Sequence, residues 1–399
     1  MPEVKHGLKI EFGMSYGLEE AQALLECLKN NAPSCGKKVK EFEDAFAKYC
    51  GVTYAVAVTS ATTGLTLAGV AAGITTGDEV ITTPLSWIAT ASAFAGLGAK
   101  LVFCDVDERT LCMDPDKIEA LITPRTKAIV PVHLYGQCAD MNRIHKIARK
   151  YDICVIDDCA HNPGGEYRGV KAGALADMSV FSFHQQKNMC TLGEGGMVTT
   201  DNKAYYEEVL SYRSLCCRIH GESDKYLSID ESKRPMGKRY WELEFDHIGY
   251  NFRMTDAQAC VGIEQLKKLD KSNERRIELA KRLNEGLRGV KEIITPFEDT
   301  AGKHVYHIYM IQLTNDAGIS KEDFMYELYY NKGIKAWSHY LPIHLSKPFL
   351  DMGHGEGECP VFEEVFNRFV TLPIYPMMTD EAVDYMVDSI KEVFKEKAG

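Results

Sequence analysis

Val180-Phe181-Ser182-Phe183-His184-Gln185-Gln186-Lys187-Asn188-Met189 runs from an apolar strand into a polar turn, and Gly193-Glu194-Gly195-Gly196 follows. Met178–Ser182 is short, apolar and β-branched or aromatic in part, which predicts a buried strand. It delivers Ser182, and Lys187 comes five residues later, in a turn that leads to the glycines. A lysine beside apolar residues at a sheet edge loses solvation and gives up its proton more readily. That is the property a Schiff-base lysine needs. The glycines permit close backbone approach. A surface lysine in a loop would give the same local pattern, so the flanking segments have to decide.

Working outward, strands are predicted at Tyr54–Val58, Glu79–Thr82, Lys100–Cys104, Ala128–Val132 and Ile153–Ile156. Amphipathic stretches lie between several of them, at Thr62–Ala72, Trp87–Leu97 and Asp140–Arg149. Strands alternating with helices predict an α/β fold with a mostly parallel sheet flanked by helices. Ligands of such sheets sit at the carboxyl ends of the strands. From 218 to 246 the periodicity breaks into a polar, mixed-charge excursion, read as a surface or substrate-facing loop. A helix resumes at Thr255 and runs to about Leu269, and a charged helix continues to about Leu287. A strand near Val305–Leu313 and helices near Lys321–Tyr330 and Asp380–Lys395 complete a smaller C-terminal α+β domain. The expected division is residues 1–250, the large domain, and 251–399, the smaller one with its linking helices.

Composition removes several classes of function. The 399 residues carry 46 Lys and Arg against 57 Asp and Glu, a formal net charge of −11. An acidic chain lacks the cationic face that phosphate neutralisation requires, so nucleic acid is not an expected partner. No apolar run approaches the roughly 20 residues of a membrane span, so no membrane partner is expected either. The start, Met1-Pro2-Glu3-Val4-Lys5-His6, has no apolar signal core. Thirteen scattered cysteines without a Cys-x-x-Cys pair read as buried free thiols of a reducing, cytoplasmic protein, and no metal site is expected.

Three further segments carry chemistry. Val58-Thr59-Ser60-Ala61-Thr62-Thr63-Gly64 puts small hydroxylic residues at a helix start, where free N–H groups bind phosphate; an ordinary N-cap uses the same residues. Trp87 follows a strand and suits stacking on a planar ligand, or simply the core. Asp157-Asp158-Cys159-Ala160-His161 sets two carboxylates at the end of an apolar strand, which is costly unless they are paired with a cationic nitrogen, a metal or a helix start. Alternation along the strand sends the two to opposite faces. In order, a phosphate cradle, a stacking Trp, an Asp after a strand and Ser-x-x-x-x-Lys form the kit of a pyridoxal phosphate enzyme.

At this level of detail the chain resembles the DegT/DnrJ-type sugar aminotransferases, pyridoxal phosphate enzymes of the aspartate-aminotransferase fold (fold type I). The resemblance covers nearly the whole length. It is carried by Gly77-Asp78-Glu79-Val80-Ile81, Trp87-Ile88-Ala89-Thr90, Phe103-Cys104-Asp105-Val106-Asp107, His133-Leu134-Tyr135-Gly136-Gln137 and Ile156-Asp157-Asp158-Cys159-Ala160-His161. It continues through Phe181–Lys187, Gly193–Gly196, Gly249-Tyr250-Asn251-Phe252-Arg253-Met254 and His339-Tyr340-Leu341-Pro342-Ile343-His344.

The resemblance implies roles. Lys187 is the Schiff-base lysine and acid/base, Asp158 pairs with the pyridine nitrogen, and His161 lies near the ring hydroxyl. Trp87 stacks on the ring, while Ala61, Thr62 and Ser182 hold the phosphate. Asn251 reaches the phosphate of a neighbouring subunit, which implies a homodimer with shared sites. His339, Tyr340 and His344 border the acceptor pocket. Relatives that remove a hydroxyl carry His in place of the lysine, so Lys187 favours transamination. The expected reaction is ping-pong: glutamate or glutamine gives its amino group to pyridoxal 5'-phosphate, and the resulting pyridoxamine phosphate gives it to a keto sugar, nucleotide-linked by expectation. Lys225, Lys233, Arg234, Lys238 and Arg239 in the excursion are candidate diphosphate contacts, or merely solvated. Competing readings are a keto-cyclitol acceptor, an aminohydroxybenzoate-synthase-like reaction, and a silent cofactor or sugar sensor.

Overall fold

The computed structural model describes residues 16–30, 34–219, 243–297 and 302–398. Residues 220–242, and with them Lys225, Lys233, Arg234, Lys238 and Arg239, lie outside the described residues. At the base of that excursion Cys217–Ile219 pairs antiparallel with Leu243–Phe245.

The large sheet has seven strands: β1 (Tyr54–Val58), β2 (Glu79–Thr82), β3 (Lys100–Phe103), β4 (Thr126–Val130), β5 (Cys154–Asp158), β6 (Met178–Ser182) and β7 (Gly196–Thr200). Their spatial order is β1-β7-β6-β5-β4-β2-β3. The pairs β2–β3, β2–β4, β4–β5 and β5–β6 are parallel, and β7 runs antiparallel between β1 and β6. Six strands therefore point one way, and their carboxyl ends share one edge. Three predicted strands are met end for end; β4 starts two residues before the predicted strand, and β5 runs on through Asp158. The sequence reading treated Gly193–Gly196 only as a loop. The structure makes Gly196 the first residue of β7, the return strand that closes the turn carrying Lys187.

Helices α1 (Leu18–Lys29), α2 (Lys37–Cys50), α3 (Ala61–Ala71), α4 (Ala89–Ala95), α5 (Met141–Tyr151) and α6 (Lys203–Arg213) accompany the sheet. Gly64 lets α3 lie close to it: a Cβ there would stand 2.8 Å from Val180 Cγ1. The two helices predicted after Thr255 are one continuous helix, α7 (Asp256–Leu287). Thr255 caps it, its hydroxyl accepting the Gln258 N–H at 3.3 Å. Asp256 in turn accepts the N–H groups of Gly36 and Val39 at 2.8 and 3.0 Å, which ties α7 to the start of α2.

A second, antiparallel sheet holds β8 (Ile293–Ile294), β9 (Tyr309–Leu313) and β10 (Phe369–Leu372). The helix Lys321–Tyr326, a π turn Glu327–Asn331 and the closing helix Asp380–Ala398 pack around it. Leu283, Ile311, Phe324 and Ile390 are fully buried in that core. Twelve of the thirteen cysteines are buried and all are free thiols. Among the described residues no helix is long and apolar enough to cross a membrane.

Candidate active site

The carboxyl edge of the large sheet opens into a cavity of about 1100 Å³. Of the residues singled out in the sequence, Ala61, Thr62, Trp87, Asp158, His161, Ser182, Lys187, His339 and Tyr340 all line it. They come from the loops after β1, β2, β5 and β6 and from a segment beside the second sheet. Only the tertiary fold makes them neighbours.

Lys187 sits in the turn between β6 and β7. Its N–H donates to the His184 carbonyl at 2.8 Å, and Thr191 N–H donates to the Phe183 carbonyl at 3.0 Å, so the turn is closed on itself. The next residue, Asn188, anchors it: its amide donates to Asn273 Oδ1 at 2.8 Å and to the Val305 carbonyl at 3.2 Å. Burial lowers the Lys187 pKa to about 8, partly offset by the negative charge of Asp158.

Asp158 ends β5 and is buried. Its carboxylate accepts Thr90 Oγ1–H at 2.7 Å and the Ala160 N–H at 3.0 Å. Ser86 Oγ is 2.7 Å from Thr90 Oγ1; since Thr90 spends its proton on Asp158, Ser86 donates to Thr90. Burial raises the Asp158 pKa, while Ala160, Thr90 and Lys187 oppose the rise. Asp157 faces the other way. Its carboxylate takes His133 Nε2 at 3.0 Å and the Cys159 thiol at 3.3 Å. His133, Asp157 and Cys159 lie within 4.8 Å of one another. However, His133 Nδ1 accepts the Ala139 N–H at 3.2 Å, which leaves Nε2 carrying a proton toward Asp157. These groups satisfy one another. The alternation argument therefore separates the two carboxylates as expected.

His161 is held in one tautomer. Nδ1 accepts the Tyr135 N–H at 3.3 Å, so Nε2 bears the proton and donates to Tyr340 Oη at 3.1 Å. Burial keeps this imidazole neutral, its pKa well below the ordinary value, and the Lys187 charge adds to the effect. Tyr340 accepts that bond and keeps its own O–H for the cavity. His339 donates Nδ1–H to Thr371 Oγ1 at 2.8 Å, because Thr371 already donates to the Trp337 carbonyl. Burial, with Lys187 next, lowers the His339 pKa to about 4. Trp87 is 61% exposed and meets the Tyr340 ring edge-on at 5.8 Å.

The start of α3 fits a phosphate. Ser60 accepts the Thr63 N–H at 3.2 Å, and its carbonyl takes the Gly64 N–H at 3.0 Å. The N–H groups of Ala61 and Thr62 have no partner among the described residues and face the cavity at a helix N-terminus. The ordinary cap and the anion site coexist here. Gly196 makes the cradle compact: a Cβ on it would stand 2.6 Å from the Ser60 carbonyl carbon and 2.8 Å from Ala61 N. Ser182 completes this end, its Oγ accepting the His184 N–H at 3.3 Å. A buried carboxylate, a lysine of lowered pKa and a free-amide cradle in one cavity match the shape and charge of pyridoxal phosphate.

A sequence profile of the DegT/DnrJ/EryC1/StrS aminotransferase family matches residues 15–391. The chain belongs to that family. It is 38% identical over 381 residues to the spore coat polysaccharide biosynthesis protein SpsC of Bacillus subtilis, with 95% of each chain covered. It is 35% identical over 376 residues to GDP-perosamine synthase of Caulobacter vibrioides, covering 94% of this chain and 95% of that protein. A Streptococcus pneumoniae structure described as a sugar aminotransferase in its PMP form superposes with a TM-score of 0.89 at 26% identity, covering 98% of this chain and 100% of that one. The protein is a pyridoxal phosphate-dependent aminotransferase, as the resemblance implied.

Two of the named residues do not line this chain's cavity: Asn251, expected at a neighbouring subunit, and His344, expected at the acceptor pocket. Asn251 is exposed, outside the cavity of its own chain, with its backbone bridged to Ser214. His344 is fully buried and does not line the cavity; Nε2 pairs with Glu363 at 2.9 Å and the ring packs on Phe103. Ile343 is pinned by its N–H to the Pro84 carbonyl at 3.0 Å, and this turns the following histidine into the core. Sequence reasoning missed Ser86 and Thr90 as the hydroxyl pair behind Asp158, and Lys335 and Trp337 in the cavity wall. Gly333-Ile334-Lys335-Ala336-Trp337 alternates apolar with polar or large residues, the signal that would have pointed to them.

Proposed function

We propose that this aminotransferase moves an amino group from glutamate or glutamine to a keto sugar, nucleotide-linked, through a homodimer whose sites are shared. The observation that carries the reading is one cavity of about 1100 Å³ that joins Lys187 and Asp158 at its base to Lys335 and Trp337 in its wall. That volume leaves room for an acceptor much larger than an amino acid beside the cofactor. The names of the relatives agree: one is GDP-perosamine synthase and another a spore coat polysaccharide protein.

Pyridoxal phosphate, when bound, supplies the electron sink for the amino-group transfer. The chain's own residues do the rest. Asp158, held by Thr90 and Ala160, is the counter-charge for a protonated ring nitrogen. Ala61, Thr62 and Ser182 anchor the phosphate, and Trp87 covers the ring. Lys187, with a pKa near 8, takes up and returns a proton at Nζ close to neutral pH. Tyr340, fixed by His161, offers a hydroxyl donor to an oxygen in the cavity. Asn251 reaches the partner's phosphate; its exposure on its own chain leaves it available for that contact.

Two experiments test the reading. The protein loaded in its pyridoxamine phosphate form is offered a panel of keto sugars, nucleotide-linked keto sugars and keto-cyclitols, and amino product is followed by mass spectrometry. Product from nucleotide-linked sugars alone supports the proposal; product from cyclitols alone overturns the acceptor class. For the shared site, Lys187→Ala and Asn251→Ala chains are mixed under subunit exchange. Recovered activity supports a shared dimer, whereas no recovery, or a monomer by light scattering, overturns it.

A further inference from the structure

Lys335 and Trp337 belong to a short segment that turns at Lys335, where the Ala336 N–H donates to the Ile334 carbonyl at 2.9 Å, and is bridged to the second sheet at Trp337. Trp337 N–H donates to the Thr371 carbonyl at 2.9 Å and Thr371 N–H returns a bond to the Trp337 carbonyl at 2.8 Å. Alternation buries Ile334 and Ala336 in the sheet's own core, at 0% and 7% exposure. It turns Lys335 and Trp337 to the cavity, which both line. Trp337 is 51% exposed there and Lys335 half-buried.

The ammonium of Lys335 has no acidic partner and accepts no role in any hydrogen bond among the described residues. Neighbouring lysines are paired: Lys332, three residues earlier, binds Glu392 at 3.0 Å and Glu396 at 3.2 Å. The charged groups at the cofactor end of the cavity have their own tasks. Asp158 is held by Thr90 and Ala160, and Lys187 lies at the base beside it. The phosphate cradle is built from the loop after β1, whereas Lys335 comes from the segment bridged to the second sheet. A cation that lines a substrate cavity beside an exposed indole, on a segment bridged to the second sheet, is arranged to bind an oxyanion with an apolar or planar neighbour.

We propose that Lys335 holds an oxyanion of the substrate, with Trp337 as the adjacent contact surface. This rests on the reading of the cavity as the site of amino transfer. The shared chemistry is an anionic oxygen, from either the diphosphate of a nucleotide-linked acceptor or the distal carboxylate of the donor.

The test uses the holoenzyme and titration calorimetry, with UDP and GDP as diphosphate probes and glutarate as the carboxylate probe. Lys335→Ala weakens one class of probe by roughly 10- to 100-fold, the effect of a lost charge-assisted hydrogen bond. Lys335→Arg retains most of the binding, and Lys335→Glu abolishes it. Loss confined to UDP or GDP assigns the acceptor's diphosphate; loss confined to glutarate assigns the donor's carboxylate. Pyridoxal phosphate affinity stays at the wild-type value in all three variants, and an unchanged melting temperature certifies their folding. Wild-type binding of neither class, Lys335→Ala binding both as wild type does, or a fall in cofactor affinity instead overturns the proposal. Failure of amino transfer is read separately, by glutamate turnover of the wild-type protein, and leaves the calorimetric result standing.

Discussion

Gly196→Ala is the sharpest test of the cradle. Gly196 opens β7 and is paired on both sides, with Val58 and with Ser182, so the strand itself cannot move away. A Cβ there meets the Ser60 carbonyl carbon at 2.6 Å, Ser60 O at 2.7 Å and Ala61 N at 2.8 Å, all backbone atoms. The loop must retreat by close to 1 Å to reach ordinary contact. Overpacking of this kind costs about 1–3 kcal/mol of stability. It also misaims the free N–H groups of Ala61 and Thr62, and a misplaced hydrogen bond to a charged group is worth roughly 10- to 100-fold in affinity. The assay titrates the apo-protein with pyridoxal phosphate and with pyridoxal, which lacks the phosphate. Gly196→Ala should lose affinity for the first and little for the second, so the preference for the phosphorylated form shrinks by about tenfold or more. Gly355→Ala is the control, because nothing lies within 4 Å of a Cβ there. If Gly196→Ala keeps the wild-type preference for the phosphorylated form, the α3 cradle is not the phosphate site.

Lys187→Met should abolish borohydride-fixed cofactor and turnover while retaining reversible cofactor binding; covalent fixation in the variant refutes the assignment. The same substitution should stabilise the apo-protein near neutral pH. The folded-state pKa of Lys187 is lowered to about 8 against an ordinary 10.5, so below pH 8 wild type carries a desolvated charge. Between 8 and 10.5 its folded form sheds that proton first, wild-type stability rises, and the advantage of the variant narrows in thermal melts. Asp158→Asn should reduce turnover by orders of magnitude with little loss of stability. Asp157→Asn should do the reverse, because Asp157 is satisfied by His133 and Cys159 behind the sheet; a larger kinetic effect at Asp157 would exchange the roles. Tyr340→Phe keeps the ring against Trp87 but removes the acceptor for His161 Nε2–H. Its turnover number should fall roughly 10- to 100-fold with cofactor affinity unchanged, and wild-type turnover would exclude the hydroxyl from the reaction.

Much of this protein was legible in its residues. The apolar runs, the β-branched content and the spacing of helical stretches dictated strands alternating with helices, because burial on both faces of a parallel sheet leaves that signature. The carboxyl-end rule then pointed to Ser60–Thr62, Trp87, Asp158, Ser182 and Lys187; alternation sent Asp157 and Asp158 to opposite faces, and the family resemblance picked Asp158 as the one toward the ring. What remained depended on contacts between segments distant in sequence. Gly196 became a strand residue because both neighbours needed a partner, although glycines by themselves suggest a loop. His344 went into the core because Glu363 and Phe103 wait there, and no local pattern encodes a partner 19 residues away. The tautomer of His161 follows from Tyr135 and Tyr340, which lie 26 and 179 residues from it. The cationic wall of Lys335 exists only where the second sheet meets the first. Local sequence sets which face a side chain takes; a hydrogen bond or a charge left without a partner is a property of the assembled fold.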